Sequence, residues 1–164
     1  AGLTYIILYC KKKNIKALLL TDIMVPALAL GQAIGRWGNF FNKEAYGSVT
    51  SYEFLKSIHL PEFIIDGMHI GRNYYHPTFL YESIWCFIIF IVLIILMRLK
   101  KDRTGFLTSI YLIMYGLERV FIEILRQDSL MILNFKVAQI VSIIMIIFGI
   151  VILNGRYSSI SNLV

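Results

Sequence analysis

Long apolar runs alternate with short polar stretches along this chain, and the length of each run predicts what it does. An α-helix needs about 20 apolar residues to cross roughly 30 Å of hydrocarbon. On that measure the chain predicts spans at about residues 17–34, 79–97, 106–125 and 137–153. The opening run, Ala1 to Cys10, has about half the required length and reads as the end of a further helix, so the chain is expected to be an N-terminally truncated piece. Pro26 falls inside a span and predicts a kink. Residues 35–78 mix aromatics with charges, which suits a small subdomain at the headgroup level. Within it Asp66-Gly67 is a turn signal, and Gly67 to Gly71 predicts a hairpin tip. The expected fold class is all-α: a polytopic transmembrane helical bundle, one membrane domain over residues 1–164, with a small extracytoplasmic subdomain between two spans.

Composition identifies the solvent. With 58% hydrophobic residues, 16% charged and a mean hydropathy of +0.71, the chain lies outside the range of soluble domains. Its net charge of +6 comes from clusters: Lys11, Lys12, Lys13 and Lys16, then Arg98, Lys100, Lys101 and Arg103, then Arg156. If the spans alternate, all three fall on one face, as in cytoplasmic loops. Residues 35–78 are balanced, with Arg36, Lys43, Lys56 and Arg72 against Glu44, Glu53, Glu62 and Asp66, so that face is expected to be extracytoplasmic. Basic residues distributed this way serve topology in the lipid bilayer, and no nucleic-acid partner is expected. Cys10 and Cys86 sit inside apolar runs as small buried hydrophobes, so neither a disulfide nor a metal site is expected.

Candidate chemistry gathers at two places. The first is Gly35-Arg36-Trp37-Gly38-Asn39-Phe40-Phe41-Asn42-Lys43-Glu44-Ala45-Tyr46-Gly47, which reads as a turn at the outer interface. Its glycines let backbone N–H groups come close to an anion, and Arg36 offers a planar cation suited to phosphate or carboxylate. Asn39, Asn42 and Glu44 crowd the same turn; the plainer alternative is a helix end whose arginine reaches the headgroups. The second is Tyr115, Arg119, Glu123 and Arg126, spaced to lie on one helical stripe, with Tyr111 and Glu118 beside it. Arg119 and Glu123 suit an i,i+4 ion pair, which is the plainer alternative to a functional role. The stripe must face protein or a polar cavity, because lipid tails cannot solvate it. The alternation of spans brings Arg36, Glu82 and the Arg119–Arg126 end to the outer side. There they are expected to converge on a cavity that fits an anionic lipid headgroup and stabilises a departing phosphate. Asp22, near the cytoplasmic end, is expected to cap a helix or pair with Lys16 rather than carry protons. A small polytopic transporter or channel subunit with an arginine-lined anion path is the alternative class; it would carry internal repeats, and none is visible.

The residues also resemble a known family, the prolipoprotein diacylglyceryl transferases. Gly35 to Gly47 fits G-R-x-G-N-F-x-N-x-E-x-x-G at every fixed position, His76 to Glu82 is similar to H-P-x-x-x-Y-E, and Tyr115 to Arg126 to Y-x-x-x-R-x-x-x-E-x-x-R. The resemblance covers the chain from Ala1 to about Leu153. It implies a bacterial plasma-membrane enzyme that moves the sn-1,2-diacylglyceryl group of phosphatidylglycerol to the lipobox cysteine of a prolipoprotein peptide, forming a thioether and releasing glycerol phosphate. By position, Arg36, Asn39, Gly47, Glu123 and Arg126 would bind phosphatidylglycerol, and Arg119, on the phosphate side, would carry the catalysis with Arg36, Glu82 and Tyr115, while Glu82, Glu123, Tyr115 and Arg126 would shape and charge the cavity. No metal or organic cofactor is implied. The family's H-G-G motif, whose histidine is linked to thiol activation, is missing: His59, His69 and His76 all follow the signature. His76, at a helix entrance, is expected to bond backbone.

Overall fold

The computed structural model describes residues 2–99, 104–126, 131–132 and 135–161. Helix α1 (Gly2–Lys13) closes on its three lysines and is followed by α2 (Ala17–Asn42). A small subdomain comes next: β1 (Val49–Thr50), α3 (Tyr52–Ser57), α4 (Glu62–Gly67), β2 (His69–Ile70) and β3 (Asn73–Tyr75). Helices α5 (Thr78–Leu99) and α6 (Phe106–Leu125), a two-stranded ribbon of β4 (Met131–Ile132) and β5 (Phe135–Lys136), and α7 (Val137–Ser161) complete the order. Among the described residues, three stretches are long and apolar enough to cross a membrane: Ala17–Asn42, Thr78–Leu99 and Val137–Gly155. The protein is thus a multi-pass membrane protein, mostly helical, with a small sheet between spans. Helix α6 has 20 residues, about 30 Å, but its Glu118, Arg119 and Glu123 weaken its apolar signature. Apolar side chains such as Ile34, Ile144 and Val151 stay more than half exposed, as expected where lipid is the solvent.

The helices meet through a core of Val25 and Ala29 on α2, Ile89 and Leu93 on α5, and Phe106, Leu107 and Tyr111 on α6. Helices α6 and α7 approach through glycines. A Cβ on Gly116 would stand 2.9 Å from the Ser142 carbonyl, and one on Gly149 2.9 Å from the Ser109 carbonyl. Small residues at crossings let membrane helices gain van der Waals contact where no hydrophobic effect drives them together.

One local expectation is corrected and a second is made specific. The signature does not open as a glycine turn at Gly35: α2 runs unbroken through Gly35 and Gly38 and ends at Lys43, whose φ is 51°. Neither glycine has anything within 4 Å of where a Cβ would stand, so no anion-cradling loop forms there. Glycine costs a helix up to about 1 kcal/mol. Packing of Trp37 and Phe40 onto the subdomain core offsets that cost. Of the two roles expected for Asp22, it is helix capping that is seen, on α6 and not on its own helix, and its partners are other than Lys16. It is 6% exposed and accepts from the backbone N–H groups of Gly105 and Thr108 and from the Thr108 hydroxyl, at 2.8 and 2.6 Å for the two Thr108 bonds. Gly105, the residue preceding α6, offers no side chain to cap it, so a carboxylate on α2 satisfies the free amides of α6.

The subdomain sheet runs in the order β1-β3-β2, all antiparallel, with Val49 opposite Tyr75 and His69 opposite Tyr74. Its hairpin tip lies at Gly71-Arg72, later than predicted, because Gly67 is the last residue of α4 and Gly71 supplies the positive φ of 67°. Leu55, Ile64, Ile65 and Met68 are buried against Phe79 at the start of α5. This ties the subdomain to the same ends of α2 and α5 that carry Arg36 and Glu82.

Candidate functional site: an arginine and carboxylate chain between helices

Each polar side chain is delivered by a helix end on the subdomain side of the bundle. Glu82, one turn into α5, is 1% exposed. One of its oxygens lies 3.1 Å from Arg36 Nε on α2 and the other 2.5 Å from Arg119 Nη1 on α6. Arg119 reaches on to Glu123 at 3.4 Å, and Arg36 donates to the Tyr115 hydroxyl at 3.4 Å. Tyr115 stacks on Tyr111, whose hydroxyl donates to Gln32 at 3.0 Å. Arg36, Glu82 and Arg119 thus meet through one shared carboxylate, although Arg36 and Glu82 do not line the cavity they were expected to share. Two cations and two anions along one line, with Arg36 and Arg119 20% and 14% exposed, keep an intramembrane polar group from being left uncompensated.

Beside this chain lies a cavity of about 370 Å³ between α6 and α7, lined by Tyr115, Arg119, Glu123 and Arg126 facing Val137, Ala138, Val141, Ser142 and Met145. Its volume is in the range of small-ligand sites. One wall is cationic and polar and the other mostly aliphatic, a combination suited to an amphiphile with an anionic head. Lys136, which the sequence reading passed over, donates to the Glu123 carbonyl and, at 3.4 Å, to that of Arg126. A lysine there satisfies the last carbonyls of α6 and favours the negative end of its dipole.

Not every predicted residue lies on that cavity. Arg36 is one ion pair behind it, through Glu82. Asn39 lines a separate cleft with Lys43, Glu44, Tyr46 and Thr78 whose free volume of about 10 Å³ holds no more than a water. Gly47 is backbone machinery: it bridges Arg126, and its N–H donates to the His76 carbonyl at 2.9 Å. A Cβ there would lie 2.7 Å from His76 Cβ, so glycine is required for this approach. The His76 ring meets the Tyr81 hydroxyl at 3.4 Å rather than backbone, and burial pushes its pKa below the usual 6.5. Glu118, noted only as a neighbour of the stripe, is 4% exposed and faces α5.

Fold and site together define the class: a multi-pass membrane protein with a charged, partly enclosed site set among its helices. The comparisons narrow it. The family model for prolipoprotein diacylglyceryl transferase matches residues 1–154, and the chain belongs to that family. It is 49% identical over 151 residues to a phosphatidylglycerol--prolipoprotein diacylglyceryl transferase of Staphylococcus saprophyticus, covering 92% of this chain and 54% of that protein. Proteins of the same name from Staphylococcus haemolyticus (51% identical, 92% and 53% covered) and Bacillus velezensis (47%, 92% and 55%) are similar to it as well. The chain spans about half the length of the curated relatives it matches.

Proposed function

We propose that this chain carries the lipid-donor site of a transferase that moves the sn-1,2-diacylglyceryl group of phosphatidylglycerol to the lipobox cysteine of a prolipoprotein. Family membership supports the reaction, and one observation carries the site: Arg36 and Arg119, from helices far apart in sequence, ion-pair with opposite oxygens of Glu82. In this reading the phosphate of the lipid headgroup enters the cavity between α6 and α7, and its acyl chains lie along the aliphatic face of α7. Sulfur attacks the glyceryl carbon that is joined through oxygen to phosphorus: a carbon–sulfur bond forms, the carbon–oxygen bond breaks with its electron pair going to the departing glycerol phosphate, and the thiol proton passes to that phosphate or to water. Arg119 and Arg126 stabilise the charge that builds on that oxygen, which is where fixed donors accelerate such a step. Arg36 holds Glu82 from behind the cavity, Tyr115 and Glu123 orient the guanidinium groups, and Asn39 and Gly47 shape the junction with the subdomain, where Gly47 bridges Arg126. The subdomain side faces outward, and the lysine-rich loops face the cytoplasm.

The test is release of glycerol phosphate from phosphatidylglycerol vesicles in the presence of a lipobox peptide. Arg36→Ala and Arg119→Ala each abolish peptide lipidation while insertion into the membrane is unchanged. Lipidation at the unsubstituted rate in both variants would refute the assignment.

A further inference from the structure

The cations around the site are not equivalent. Arg36 lies against Glu82, and Arg119 lies against both Glu82 and Glu123, so the charge of each is answered by the protein's own carboxylates. Lys136 differs. Its half-buried ammonium donates to the backbone carbonyls of Glu123 and, at 3.4 Å, of Arg126, and among the described residues no acid lies within ion-pairing distance of it. Carbonyls are neutral acceptors, and an ammonium has three N–H donors. With two engaged, one donor and a full positive charge are left without an anion.

Its position gives that charge a use. Lys136 stands opposite Met131 in the β4–β5 ribbon and is followed directly by Val137 and Ala138, the first residues of α7. Those two line one wall of the cavity between α6 and α7, and Glu123 and Arg126, whose carbonyls hold the ammonium, line the other. One side chain thus ties both walls together at the end of the cavity nearest the ribbon. Capping α6 is only half of its setting, because the same residue precedes the N-terminus of α7, where a helix dipole disfavours a cation. The negative end of α6 and the positive end of α7 offset one another there, and the lysine charge is what remains.

Taking the transferase reading above as its basis, we infer that Lys136 is a specificity-determining residue of the lipid-donor cavity: its uncompensated charge favours a phospholipid of net negative charge over a zwitterionic one and holds the headgroup phosphate toward Arg119 and Arg126. The phosphodiester of phosphatidylglycerol carries a negative charge with nothing in the lipid to balance it, whereas phosphatidylcholine carries its own quaternary ammonium. Arg119, shared between two carboxylates, separates the two lipids poorly. Lys136 separates them well, since a choline group at its end of the cavity would meet a like charge, and specificity is built from such repulsion as much as from attraction. The same charge serves the products, because cleavage of the carbon–oxygen bond turns a singly charged diester into a monoester able to carry two charges.

Two measurements on the full chain test this, and neither needs turnover. In the first, phosphatidylglycerol and phosphatidylcholine with the same acyl chains compete for the protein in detergent micelles against a fluorescent phosphatidylglycerol. Lys136→Gln keeps an N–H for the carbonyls of α6 and removes the charge; Lys136→Arg keeps both. Lys136→Gln is expected to lose about tenfold in affinity for phosphatidylglycerol, the worth of one charged hydrogen bond, with phosphatidylcholine unchanged. Lys136→Arg is expected to retain the preference. An unchanged ratio of the two affinities in Lys136→Gln, or equal weakening of both lipids, leaves only a helix cap and overturns the inference. The second measurement uses the unsubstituted protein. The terminal diol of phosphatidylglycerol is cleaved with periodate to an aldehyde, which condenses with a nearby amine with loss of water, and borohydride reduces the imine to a stable adduct. An adduct on Lys136 sustains the inference, and adducts confined to other lysines overturn it. Absence of glycerol phosphate release from the unsubstituted protein with a lipobox peptide would count against the transferase reading, while the affinity ratio and the adduct map would still decide what Lys136 does.

Discussion

Replacing Glu82 by glutamine is the sharpest probe of the bundle, because one 1%-exposed carboxylate holds two arginines from two other helices. Glutamine keeps the shape and removes the charge. The contacts left behind are long: Arg36 keeps Tyr115 at 3.4 Å, and Arg119 keeps Glu123 at 3.4 Å. Breaking a buried ion pair by neutralising one partner costs about 3–5 kcal/mol. Both guanidinium groups retain some exposure, which softens the penalty toward the lower end of that range. A loss of about 3 kcal/mol is therefore expected, more than a hundredfold in the unfolding equilibrium. The assay is reversible unfolding in bicelles, read as a double-mutant cycle with Arg36→Gln. Since Arg36 loses its counter-charge in the first variant, the second substitution should cost much less on top of it, with a coupling energy above about 1 kcal/mol. A Glu82→Gln protein within about 0.5 kcal/mol of the parent, or strict additivity in the cycle, would refute a shared buried carboxylate as the tie between helices.

Gly47→Ala should destabilise the junction of subdomain and bundle by about 1–3 kcal/mol, because the new Cβ would stand 2.7 Å from that of His76. Limited proteolysis of the 43–77 segment checks this, and an unchanged cleavage rate would contradict it. Asp22→Ala removes the acceptor for the first amides of α6 and should cost about 0.5–2 kcal/mol, read by unfolding in bicelles. Equal stability would show that another group satisfies those amides. His76 predicts a pH response. Burial lowers its pKa, so as pH falls the unfolded chain takes up the proton first and subdomain stability declines below about pH 6.5. His76→Gln should flatten that decline between pH 7.5 and 5.5 and leave stability above pH 7 unaltered. The same slope in both proteins would remove His76 from the account.

Much of the architecture was legible because long apolar runs have few alternatives. Helix α6 begins at Phe106 and ends at Leu125, as its pattern predicted, and the stripe from Tyr115 to Arg126 does face a cavity. The meeting of Arg36, Glu82 and Arg119 followed from counting alternations of the chain. What was misread depended on contacts distant in sequence. Gly35 and Gly38 look like turn residues, yet burial of Trp37 and Phe40 against the subdomain carries the helix past them. Asp22 does cap a helix, one of its two expected roles, but the helix it caps starts more than 80 residues on, where Gly105 brings no cap of its own. Asn39 and Gly47 belong to the signature, and the structure sets them at the subdomain junction rather than on the cavity wall. Glu118 gave no local signal, since its isolation is visible only once the neighbouring helix is in place.

The Asp22 carboxylate also works as a common zero mark for depth. From that point Arg36 is fourteen residues up α2, about 21 Å, and Arg119 is eleven residues up α6 from Thr108, about 16 Å. Two rods fastened at one foot thus carry their cations to nearly the same height, and Glu82 has only to span the remaining offset. Adding or deleting a residue between Asp22 and Arg36 would swing and lift one guanidinium against the other without touching either.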